Sequence, residues 1–67
     1  MEDLKKELLD EIYDKVAADE YKTIEELLNQ GKHRQAFYKL NELKKTKMIS
    51  SPKYIGLLEK FWWTYAN

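Results

Sequence analysis

The chain has no cysteine, one proline, two glycines and one histidine. Without cysteine it has neither a disulfide framework nor a thiolate zinc site, and a reducing compartment is the simpler setting. With His33 as its only imidazole, no histidine-rich metal site can form within one chain, and His33 reads as a surface or helix-start residue. No phosphate-cradling glycine loop, G-x-S-x-G or Ser/His/Asp spacing is present, so no enzyme activity, cofactor or small-molecule substrate is expected. No run approaches the roughly 20 apolar residues of a membrane span. The opening Met1-Glu2-Asp3-Leu4-Lys5-Lys6 lacks the basic start and apolar stretch of a signal peptide, and the expected location is the cytoplasm.

What is present is charge, sorted by sign. Residues 1–28 carry ten of the twelve acids against four lysines, a net of −6, and residues 29–67 carry eight bases against two acids, a net of +6. The neutral total therefore hides a dipole. If the halves fold against each other the poles partly satisfy one another, and otherwise they offer an acidic and a basic surface to partners. Nine aromatics in 67 residues can supply the core that so short a chain needs, since a domain of this size buries only roughly 60% of its unfolded surface.

Nearly every segment reads with a helical period, and none alternates as a strand does. The expected fold is all-α, a compact bundle of three to four short helices in a single domain over 1–67. Helix one, about 3–17, sets Leu4, Leu8, Leu9, Ile12, Tyr13 and Val16 against an acidic face of Glu7, Asp10, Glu11 and Asp14. Those carboxylates lie within a helix rather than in a calcium loop, so they read as a solvated face or a surface for a basic partner. Helix two begins after Asp19 or after Thr23, where Thr23-Ile24-Glu25-Glu26 has capping-box spacing, and ends near Gln30 with Gly31 beyond it. Helix three spans about 33–46. Ser50-Ser51-Pro52 starts helix four, about 52–65. The expected core is Leu4, Leu8, Ile12, Val16, Leu27, Leu28, Ala36, Phe37, Leu40, Leu43, Leu58, Phe61 and Trp62.

Two faces look outward. On helix three, Arg34, Tyr38, Asn41 and Lys45 make a donor-rich stripe of the kind used against protein patches or phosphates. On helix four, Tyr54, Ile55, Leu57, Leu58, Phe61, Trp62 and Tyr65 fall within an arc of about 160° at 100° per residue. Trp63 falls outside it with Gly56, Glu59 and Lys60, either folded under the domain or exposed as an anchor, and Gly56 leaves bare backbone beside it for a close approach.

The run Leu27-Leu28-Asn29-Gln30-Gly31-Lys32-His33-Arg34-Gln35-Ala36, continued by Leu40 and Leu43, resembles the middle of a tetratricopeptide repeat. The resemblance implies an antiparallel helical hairpin across Gly31, but the family's early tryptophan and closing proline are unmatched and a solenoid needs about three repeats. Leu43 to Leu58 is similar to a helix-turn-helix, with Ile49 in the turn and Tyr54 and Leu57 inward. That resemblance implies DNA binding through Ser50, Ser51 and Lys53, with Lys44, Lys45 and Lys47 on phosphates. Met48 stands where the family has glycine, and Lys44 where it has a small residue. The leading expectation is a non-catalytic interaction module, a small accessory subunit or regulator that docks on a larger protein or on itself through Trp63, Arg34, Tyr38, Asn41 and Lys45. The alternative is nucleic-acid binding by the basic half.

Overall fold

A computed structural model describes residues 2–46 and 49–66 of the chain, with side chains from residue 4 onward. Among the described residues four α-helices follow one another: α1 (Glu2–Ile12), α2 (Ala18–Asn29), α3 (His33–Thr46) and α4 (Pro52–Phe61), the last continuing into a wide π turn at Trp62–Ala66. No strand occurs among the described residues. Each helix packs on its sequence neighbour, and α1 closes the ring against α4. The radius of gyration is 10.5 Å, close to the about 11 Å expected of a compact chain this long.

The sharpest boundaries have local causes. Gly31 takes φ 76, its N–H donates to the Leu28 carbonyl at 3.2 Å and the Lys32 N–H donates to Leu27 at 2.9 Å. This pair of bonds, a Schellman motif, closes α2 and reverses the chain into α3, giving the expected hairpin. Ser51 is the N-cap of α4, its hydroxyl accepting from the Tyr54 N–H at 3.2 Å with Pro52 next in line.

The first half departs from expectation. α1 stops at Ile12 rather than near 17. The Lys15 N–H donates to the Ile12 carbonyl at 2.9 Å in a tight turn, and Ala17 is extended (ψ 156) as the N-cap of α2. Nothing local forces this break; a longer α1 would carry α2 away from the core its apolar stripe must cover, so packing decides. Thr23 consequently lies inside α2 and caps nothing, its hydroxyl donating to the Asp19 carbonyl at 2.9 Å.

The buried core contains Leu8 and Ile12 of α1, Ile24 and Leu28 of α2, Ala36, Leu40 and Leu43 of α3, Ile49 of the connection, Tyr54, Leu57, Leu58 and Phe61 of α4, and Ala66. Leu4, Val16, Leu27 and Phe37 pack on its margin rather than within it, and Trp62 is half-buried. The Tyr54 hydroxyl, inside this core, donates to the Leu40 carbonyl and ties α4 to α3. Burial pushes its ionisation well above the ordinary tyrosine range.

The ring order sets acidic α1 and α2 against basic α4 and α3. Lys53 Nζ lies 3.6 Å from Glu11 Oε2 across the α4–α1 seam. The two poles thus meet inside one molecule, although an exposed pair of this kind contributes only about 0–1 kcal/mol.

Candidate interaction groove between α3 and α4

Facing stretches of α3 and α4 build a groove of about 270 Å³ on the basic half. From α3 come Phe37, Tyr38, Asn41 and Lys44, and from α4 come Ile55, Leu58 and Glu59. Both sets follow the three-and-four spacing that puts side chains on one helical face. The π turn closes the end with Trp62 and Trp63. Phe37 and Trp62 pack at 4.9 Å between ring centroids, and Phe37 meets Tyr38 at 6.1 Å.

Two of these aromatics stand in solvent, Tyr38 at 60% and Trp63 at 71% exposure. Trp63 points outward because it lies about 200° round the helix from buried Phe61; the wide turn acts instead on Ala66. In an α-helix, residues five apart point in nearly opposite directions, whereas i to i+5 hydrogen bonding brings them toward one face. Ala66 thereby reaches the core five residues after Phe61.

The expected stripe on α3 divides into three. Tyr38 and Asn41 line the groove. Lys45 lies next door, in a polar depression with Lys39, Glu42 and Thr46 that shares Tyr38 and Asn41 with the groove. Arg34 does not join them: its Nε donates to the Ala66 carbonyl at 3.1 Å, holding the end of the π turn. Gly56 is exposed, with nothing within 4 Å of an added Cβ, so no neighbouring helix exploits its bare backbone.

The residues singled out for nucleic acid are scattered. Lys44 lines the apolar groove, Lys53 faces Glu11 of the acidic helix, and Lys47 lies outside the described residues. The carboxylate stripe is also broken, because Asp14 falls in the turn after α1 and Glu11 is partly covered, leaving Glu7 and Asp10 exposed on the helix. Among the described residues no three His, Cys, Asp or Glu side chains are grouped as a metal ion would need.

His33 opens α3 half-buried, 4.8 Å from the Tyr65 ring and 5.9 Å from Phe61 between centroids. Burial, and secondarily the Lys5 ammonium, push its pKa below the ordinary histidine value. Lys5 itself stands 5.0 Å over Tyr65 as a cation–π contact.

Sequence reasoning singled out Tyr38, Asn41 and Trp63, and placed Leu58 in the core, where it is buried while also lining the groove. It put Phe37 and Trp62 in the core and Ile55 on the core-facing arc, and these three are half-buried along the groove instead. The recoverable signal was the spacing 55, 58, 59, 62, a second stripe beside the core-facing one. No protein-family model matches the chain, and neither a curated protein nor a solved structure matches it.

Proposed function

We propose that this chain is a non-catalytic protein–protein interaction module that docks through the α3–α4 groove. The observation that carries the reading is the convergence of two water-exposed aromatics, Tyr38 and Trp63, with half-buried Phe37 and Trp62 on one apolar cleft. Exposing such side chains is unfavourable for a free surface, whereas tryptophan and tyrosine are the residue types that dominate binding hot spots. Asn41, Lys44 and Glu59 supply polar groups at the edge that fix orientation.

The test is a photo-crosslinking residue placed at position 63 and, as a control, at exposed Lys22, in cells of the source. Irradiation is expected to give a polypeptide adduct from position 63 that is absent from position 22 and that Tyr38→Ala weakens. No adduct above the control, or one with nucleic acid instead, overturns the proposal.

A further inference from the structure

Among the described residues three large apolar side chains are more than half exposed: Tyr38, Trp63 and Tyr13. The first two flank the groove. The third stands at the end of α1 on the opposite pole, with its ring edge-on to Tyr21 at 5.4 Å between centroids. Its surroundings are acidic. Asp14 follows it in the chain, and Asp10 lies near enough to the pair to help raise the Tyr21 ionisation, behind burial and Glu25.

Resting on the docking reading above, we infer that the groove's occupant is the acidic end of a second copy of this chain, with Tyr13 as its anchor. The two surfaces match in three respects. A cleft of about 270 Å³ with aromatic walls suits one projecting ring better than a whole helix. Asn41 and Glu59 at its edge can bond a phenolic hydroxyl that enters it. Lys44 in the groove, with Lys39 and Lys45 beside it, meets the carboxylates of Asp10 and Asp14 flanking the anchor.

Anchor and groove are different surfaces, so the contact is head to tail. Each bound molecule still offers one free end, and assembly continues until a ring closes or a chain grows. With one aromatic anchor and few flanking pairs, the contact belongs to the small, weak class and depends on concentration and salt.

The test is light scattering from micromolar to millimolar protein in about 0.05 M and about 0.5 M salt, on the native chain, Tyr13→Ala and Trp63→Ala. All three are checked for native helicity, and both changes are at exposed positions. Expected are growth of the native protein past a dimer at low salt, an association constant at least about tenfold lower in either variant and at high salt, and recovery on mixing. An equimolar mixture of the two variants holds one intact anchor and one intact groove, so it should form a heterodimer and stop there. The inference is overturned by a native protein that stays one chain in mass throughout, by undiminished association of Tyr13→Ala, or by a mixture that remains monomeric. A monomer whose position 63 still crosslinks to another polypeptide removes the second copy as occupant and leaves the docking reading standing.

Discussion

Replacing Tyr54 by phenylalanine should produce a stability difference that changes sign with pH. The side chain is fully buried and its hydroxyl donates to the Leu40 carbonyl. Tyr54→Phe keeps the ring and removes one bond whose acceptor, inside α3, retains its place in the helix ladder. The loss is therefore near the ordinary net value of about 1 kcal/mol, or roughly 4–8 °C in Tm for a domain this small. Alkaline pH reverses the order. Burial raises the folded-state pKa of Tyr54, so its contribution is complete below the unfolded value of about 10 and is lost as pH rises toward the folded one. Over that window the native protein loses about 1.4 kcal/mol per pH unit that the phenylalanine variant keeps. The raised ionisation of Tyr21 is common to both proteins and cancels in the difference. The two stability curves should cross near about pH 11. Urea unfolding followed by circular dichroism from pH 7 to 11.5 measures both. Equal stability at pH 7, or curves that stay parallel through pH 11, would refute a buried, hydrogen-bonded tyrosine linking α3 and α4.

The two glycines should respond oppositely to alanine. Gly31→Ala places a side chain at φ 76 and should destabilise by about 1–2 kcal/mol, while Gly56→Ala, in open space within α4, should stabilise by about 0.5–1 kcal/mol; thermal unfolding decides both signs. Ser51→Ala removes the α4 cap and should cost about 1 kcal/mol in the same assay, with Ser51→Asp restoring most of it. His33 is held neutral by burial and by Lys5, so its contribution is whole above the unfolded pKa of about 6.5 and declines as pH falls below it. The stability difference between native protein and His33→Gln should shrink between pH 7 and pH 5, and a difference independent of pH would contradict the assigned environment.

Helix ends with chemistry of their own were legible in the sequence. Gly31 and Ser51-Pro52 act through backbone conformation and one side-chain bond, both local, and they bound α2 and α4 where expected. The end of α1 was not legible, because Ile12 to Ala17 contains no breaker and the reversal there answers to the packing of α2. The wheel on helix four identified Trp63 as the outlier, but it merged two stripes into one apolar arc. Tyr54, Leu57 and Phe61 face the core, while Ile55 and Trp62 face the groove; an arc records apolarity and not which neighbour covers it. Ala66 escaped notice because a constant period of 3.6 points it outward.

The π turn gives this end of the chain a surplus residue. Deleting Thr64 would bring Ala66 four positions after Phe61, where an ordinary α turn also faces the core. The fold should therefore survive the loss of one residue here, while the wide turn that carries Trp62 and Trp63 at the end of the groove would be rebuilt as an ordinary α turn. A length change of a single residue would separate the part of the sequence that makes the domain from the part that equips it to bind.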